Sequence, residues 1–156
     1  KHSDNVYAEA IGREVALDRA ATDAPGATMA ALSEHGFDTA GTEIHDNSGL
    51  STMNLITPKL LDSILADAAA KPELRPLLNA LPVASGEGTL IERYGDLPGR
   101  GWVRAKTGTL DDTSGLAGTV TSVNGNVYTF AFLSNGSSVL EARRAMDEMA
   151  SILRAY

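Results

Sequence analysis

The chain has 156 residues, 43% of them apolar, with 13 basic and 20 acidic side chains and a net charge of −7 at neutral pH. That composition is globular and fits one ordinary domain, and so acidic a chain is a poor match for nucleic acid, whose phosphates want a basic field. Cysteine is absent, which excludes disulfides, a thiol nucleophile and thiolate metal sites, and no run of 18 apolar residues is present to cross a membrane as a helix.

Residues 6–17 read as a helix. Tyr7, Ile11 and Val15 recur every four residues with Val6 and Ala10 beside them, a stripe at helical period expected to face the core. Ser3, Asp4 and Asn5 each qualify as its N-cap. A break at Ala24-Pro25-Gly26 is expected before a short helix over 28–35, closed by Gly36. Residues 43–52 are turn-rich around Asp46-Asn47-Ser48-Gly49. Thr57 as cap and Pro58 at the first helical position then open the clearest helix, with Leu60, Leu61, Ile64, Leu65 and Ala68 as its buried face and Pro72 as its stop. A short helical turn is expected over 74–78. Residues 82–101, with five glycines and two prolines, read mostly as loop with helical character at 89–94.

The last third changes character. Residues 102–109, 116–123 and 127–134 read as strands, with Asn124-Gly125 as a hairpin signal between the last two. The run Val127 to Leu133 is almost continuously apolar, as in a strand covered on both faces. Ser138-Val139-Leu140-Glu141 has the form of a capping box. It opens a final helix whose buried side is expected to carry Ala142, Met146, Met149, Leu153 and Tyr156 and to lie on the sheet. The fold class is therefore α/β, mainly helical over 1–80, with an antiparallel sheet of three strands and a C-terminal helix over 100–156. A simple meander leaves its most apolar strand at an edge, which invites aggregation. The sheet is thus expected to be completed by a segment outside this chain.

Two strings carry chemistry: Ser3-Asp4-Asn5, and Lys106-Thr107-Gly108 inside the strand Val103 to Leu110. Together they resemble the second and third motifs of the penicillin-binding proteins and serine β-lactamases. Ala8 to Gly12, Asp46 to Ser51, Leu81-Pro82-Val83-Ala84, Gly88-Thr89-Leu90 and Ser114 to Gly118 extend the likeness over nearly the whole chain. In this ordered set the chain is similar to the low-molecular-mass D-alanyl-D-alanine carboxypeptidases/endopeptidases, the S13 peptidase family.

The resemblance implies a β-lactamase/transpeptidase-like fold in an exported bacterial enzyme. It further implies hydrolysis of D-Ala-D-Ala ends or cross-links of peptidoglycan stem peptides through an acyl-serine, with β-lactams as inhibitors and no cofactor or metal. On this likeness Ser3 is the proton-relay hydroxyl, and Asn5 bonds the substrate amide and steadies the catalytic lysine. Lys106 and Thr107 meet the terminal carboxylate, and Gly108 lets the substrate backbone lie against the strand. The N–H of Thr109 forms half of the oxyanion hole.

The family's first motif is missing. No Ser-x-x-Lys occurs; the nearest string is Ser151-Ile152-Leu153-Arg154, and arginine stays charged and cannot act as the base. The nucleophile, its lysine base and the second oxyanion N–H are therefore expected on an N-terminal segment of the same protein, making this chain a C-terminal portion that is inactive alone. The alternative is a non-catalytic module of the same fold that binds muropeptide or a protein. No Glu-x-x-Leu-Asn pattern marks a class A β-lactamase. Arg93, Arg100, Arg104 and Lys106 face only Asp96 between positions 93 and 106, a basic island suited to a substrate carboxylate. His2, His35 and His45 lack metal-ligand spacing, and Trp102 is expected to share a strand face with Arg104 and Lys106.

Overall fold

In the computed structural model, which describes residues 1–136 and 138–156, the first helix starts on Asp4. Its carboxylate accepts the N–H groups of Val6 and Tyr7 at 2.9 and 3.1 Å, so the middle of the three candidate caps is the one that acts. Helix α1 runs Asn5–Asp18. The stripe expected to face the core does not: Val6, Tyr7 and Ile11 are 78%, 72% and 65% exposed, and Gly12 and Ala16 are buried instead. Size decides this. A Cβ on Gly12 would lie 2.2 Å from Nδ2 of Asn47, so that face is chosen by how closely a loop can approach it, not by greasiness.

The chain divides into two compact units, Asp4–Leu60 and Lys1–Ser3 with Leu61–Tyr156. In the first, α1 packs on α2 (Ala24–Glu34). The expected break at Ala24-Pro25-Gly26 is in fact a helix start. Asp23 accepts the Gly26 N–H at 2.9 Å, and proline in the first turn forfeits no hydrogen bond. Gly36, at φ +84°, follows the C-cap as expected. The Asp46 turn is built by its own carboxylate, which accepts the N–H of Gly49 at 2.6 Å, the N–H of Ser51, and Nδ2 of Asn54 at 2.9 Å. Burial opposes its charge, but those bonds outweigh it and hold the carboxyl below its ordinary pKa. Glu9 of α1 clamps the same turn, accepting the N–H groups of Asn47 and Ser48 at 3.0 and 2.8 Å.

Helix α3 (Pro58–Ala70) has the cap and the face read from sequence. Thr57 Oγ1 accepts the Leu60 N–H at 3.1 Å; Leu60, Leu65 and Ala68 are buried, with Leu61 and Ile64 half-buried. A 3₁₀ turn at Pro72–Leu74 and the short helix α4 (Arg75–Asn79) follow.

The second unit is built on an antiparallel sheet of β1 (Val103–Thr109), β2 (Thr113–Thr121) and β3 (Val127–Asn135), in the order β1-β2-β3. Helix α5 (Val139–Leu153) lies on it, and Leu90, Val103, Leu116, Val120, Phe130 and Met146 form the core between them. Strand β2 begins three residues earlier than the apolar pattern suggests: Ser114 already pairs with Thr109 of β1 and Ser134 of β3, and further along Gly118 lets the strand run close beside β1. A Cβ on Gly118 would stand 2.0 Å from the Arg104 carbonyl oxygen. The β2–β3 connection is the expected hairpin: Ser122 N–H bonds the Asn126 carbonyl at 2.8 Å around the loop 123–125, with Gly125 at φ +81°. Strand β3 pairs only with β2 and so sits at the sheet edge. Phe130 is its one buried side chain, so within the described residues it lacks the two-sided cover its sequence suggests.

Two details of α5 correct the sequence reading. Ser138 precedes the helix, but its side chain makes no capping bond. Met149 and Tyr156 are exposed, while Ala142, Met146, Asp147, Ala150 and Ser151 are buried. The two polar members can be buried because each finds a partner: Asp147 pairs with Arg93, and Ser151 Oγ accepts the Gly99 N–H at 3.2 Å. Trp102 is half exposed, with the Arg154 guanidinium 4.1 Å over its ring.

Candidate active site

Main-chain polarity alternates along β1 and decides what its outer edge offers. Ala105 donates its N–H to the Pro82 carbonyl at 3.0 Å, and the Val103 carbonyl accepts the Ala84 N–H at 2.9 Å. Odd-numbered residues therefore point their peptide groups away from β2, and the segment 82–84 covers the first half of that edge. The cover ends at Ala105. Thr107 and Thr109 keep the same orientation beyond it, so their N–H groups face an edge with no main-chain partner among the described residues. Such an edge can receive an extended peptide as an added strand.

Ser3 and Lys106 meet at this edge although 103 positions separate them: Lys106 Nζ donates to Ser3 Oγ at 2.8 Å, and it also bonds the Thr107 carbonyl. The N-terminal residues are held there by a short pairing of the Lys1 ammonium with Glu87 and by close approach of the Lys1 carbonyl to Gly88. Gly88 sits at φ +66°, and a Cβ there would lie 2.5 Å from that carbonyl oxygen, so the approach requires glycine. Lys106 remains solvent-accessible along its length, yet desolvation around its ammonium lowers its pKa from the ordinary lysine value.

The remaining site candidates fall as follows. Thr107 Oγ1 donates to Thr89 Oγ1 at 2.9 Å. Gly108 has nothing within 4 Å of where a Cβ would stand. Thr109 Oγ1 accepts from Arg143 Nη2 at 2.7 Å. Asn5 belongs to the other unit, where it is the first residue of α1.

The basic island expected over 93–106 is largely dissolved in three dimensions. Arg93 is half-buried against Asp147, Arg100 lies 3.9 Å from Asp96, and Arg104 lies close enough to Glu87 to help lower its pKa, after Lys1. Arg143 is what sequence reading missed. It stands on α5, 34 positions beyond Thr109, and no motif marks it. With Thr89, Glu92, Thr107, Arg144 and Glu148 it lines a cleft of about 750 Å³.

Comparison with known proteins identifies the family. The model of the D-Ala-D-Ala carboxypeptidase 3 (S13) family matches residues 1–156. Carboxypeptidase DacB of Mycolicibacterium smegmatis is 47% identical, over 98% of this chain and 35% of its own length. The D-alanyl-D-alanine carboxypeptidase of Actinomadura sp. is 33% identical, over 100% of this chain and 30% of its own. The crystal structure of penicillin-binding protein 4 from Haemophilus influenzae, in complex with a β-lactam, has the same fold, with a TM-score of 0.88 at 29% identity over 100% of this chain and 40% of that one. The chain thus spans about a third of the length of the curated relatives it matches.

Proposed function

The chain belongs to the D-Ala-D-Ala carboxypeptidase 3 (S13) family, and from that premise we propose that it supplies one wall of a serine-type peptidase site. That site cleaves D-Ala-D-Ala ends or cross-links of peptidoglycan peptides on the exported side of a bacterial cell. The observation that carries this reading is the 2.8 Å contact between Lys106 Nζ and Ser3 Oγ. A lysine ammonium has only donors, so Ser3 must accept from it, which leaves the Ser3 proton free to point elsewhere. Ser3 gives that proton to the leaving nitrogen as the peptide bond breaks and takes a replacement from the base that deprotonated the nucleophile. Lys106 and Thr107 hold the substrate's terminal carboxylate, Gly108 lets the peptide lie flat on β1, and the Thr109 N–H faces the developing oxyanion. Asn5 bonds the substrate amide and steadies the catalytic lysine.

The nucleophile is a serine in a Ser-x-x-Lys motif outside these 156 residues, since none lies within them. The same N-terminal segment supplies the cover for the free edge of β3. The chain without it turns over no substrate. β-Lactams acylate the same serine and deacylate slowly.

Labelling with a fluorescent penicillin followed by peptide mapping tests this. The label is expected on a Ser-x-x-Lys serine, and label on any serine within the 156 residues would sink the assignment. Binding of an acyl-D-Ala-D-Ala peptide with neither label nor turnover would instead favour a non-catalytic muropeptide-binding module.

A further inference from the structure

Ser3 has little of its own to hold it. It precedes α1, lies outside every helix and strand, and is exposed. Among the described residues, Lys1, His2 and Ser3 make no hydrogen bond between main-chain groups. A residue so placed keeps most of its backbone freedom unless side chains and close packing remove it. Two contacts do so besides the bond to Lys106. The Lys1 ammonium pairs with the Glu87 carboxylate. The Lys1 carbonyl lies against Gly88, where a Cβ would stand 2.5 Å from its oxygen and 3.2 Å from the Pro82 ring. Glu87 and Gly88 thus grip the residue two positions before Ser3.

The grip is itself fixed to the strand that carries Lys106. Pro82 and Ala84 bond the edge of β1, and Gly101 donates its N–H to the Ala84 carbonyl at 2.9 Å. From there the chain folds back on itself. Gly86 and Glu87 both donate to the Val83 carbonyl, at 3.0 and 3.2 Å. Ser85 donates its N–H to the Leu90 carbonyl at 3.0 Å and its hydroxyl to the Arg93 carbonyl at 2.6 Å, and Leu90 is fully buried. Ser85 and Tyr94 sit at φ +54° and +75°, a strain that persists only where the surroundings impose it. A path of contacts therefore runs from Ala105 through Pro82, Glu87-Gly88 and Lys1 to Ser3, and the 2.8 Å bond to Lys106 closes it beside its starting point.

We infer that Glu87 and Gly88 are positioning residues for Ser3, holding its hydroxyl at Lys106 by fastening Lys1 to the loop beside β1. This rests on the peptidase reading above, in which Ser3 protonates the leaving nitrogen. Glu87 and Gly88 act on that step only through Ser3. Their effect is on geometry, and a reacting group displaced by about 1 Å loses rate on the order of a hundredfold.

The test uses the protein with its Ser-x-x-Lys segment present and two substrates sharing one acyl group, an acyl-D-Ala-D-Ala peptide and the matching acyl-D-alanyl thioester of thiolactic acid. Both form the same acyl-serine. The peptide's amine must gain a proton to leave, whereas the thiolate leaves without one, so displacing Ser3 slows the peptide more than the thioester. The quantity read is the ratio of their kcat/KM values, peptide over thioester. Gly88→Ala is expected to lower it about tenfold and Glu87→Lys about threefold. Lys1→Glu combined with Glu87→Lys is expected to restore it toward wild type, since the opposite charges meet again with their places exchanged. A general loss of folded protein lowers both substrates together and does not imitate this pattern. Should Gly88→Ala not fold, the solvent-accessible exchange of Lys1 and Glu87 decides alone. A ratio unchanged in folded Gly88→Ala or in Glu87→Lys, or a double variant no better than Glu87→Lys, overturns the assignment while the peptidase reading stands. A ratio unchanged in Ser3→Ala, or a wild type that cleaves neither substrate, overturns both.

Discussion

Arg93 meets Asp147 through two hydrogen bonds, Nη2 to Oδ1 at 2.8 Å and Nε to Oδ2 at 3.1 Å, with side-chain exposures of only 15% and 9%. The pair joins the loop after Leu90 to the middle of α5, and Tyr94 beside it has its phenol pKa pushed up by burial and by the Asp147 charge. Removing one partner strands the other charge. Arg93→Ala or Asp147→Ala is therefore expected to cost about 3–5 kcal/mol, whereas the apolar pair Arg93→Met with Asp147→Leu recovers much of that loss. Urea unfolding of the two single variants and the double variant measures it, and single-variant losses under about 1 kcal/mol would contradict it.

Lys106 predicts a pH effect whose sign follows from its lowered pKa. Desolvation disfavours its charged form in the folded protein, so the folded state releases the proton at a lower pH than the unfolded chain. Stability attributable to this residue is reduced below the folded pKa and is regained as pH rises from there toward the unfolded pKa. On the peptidase reading, and with the Ser-x-x-Lys segment present, activity moves oppositely, since the ammonium is what bonds Ser3, and the alkaline fall in kcat/KM is expected to begin below the ordinary lysine range. Titration of the lysine side-chain carbons by NMR, with the Lys106 signal identified by its loss in Lys106→Arg, checks this. A signal titrating with the surface lysines would rule it out.

Gly118 and Gly115 on β2 should respond differently to alanine. At Gly118 a Cβ would stand 2.0 Å from the Arg104 carbonyl oxygen and 2.6 Å from the Ala105 Cα, main-chain atoms that cannot step aside. At Gly115 the nearest atom, 3.1 Å away, is the end of the Leu133 side chain, which can. Gly118→Ala is expected to cost about 1–3 kcal/mol and to slow penicillin acylation by displacing β1 at Ala105, next to Lys106, with Gly115→Ala milder in both respects. Thermal unfolding and acylation rates measured together provide the check.

What could be read from the sequence followed how local each determinant was. Ser3 and the Lys106-Thr107-Gly108 string were legible because their chemistry is written in adjacent letters, and α3 because Thr57-Pro58 and its leucines all sit within a dozen residues. The buried face of α1 was misread because a loop around Asn47 selects it through the smallness of Gly12, while Val6, Tyr7 and Ile11 mimic a core stripe. On α5 the polar residues Asp147 and Ser151 carry no local sign of burial, since their partners Arg93 and Gly99 lie more than 50 positions away. Arg143 was invisible for the same reason, as its bond to Thr109 spans 34 positions.

Gly108 differs from every other glycine whose smallness the fold exploits. Gly12, Gly88 and Gly118 are small because a neighbour in the chain presses on them; Gly108 lies outside the left-handed region and faces empty space. Among the described residues nothing presses on a Cβ there, and the peptidase reading gives that blank to the substrate. Folding and ligand contact should therefore come apart at this one position. Gly108→Ala is expected to unfold within about 0.5 kcal/mol of wild type, the range of an unremarkable surface change, while penicillin acylation falls steeply.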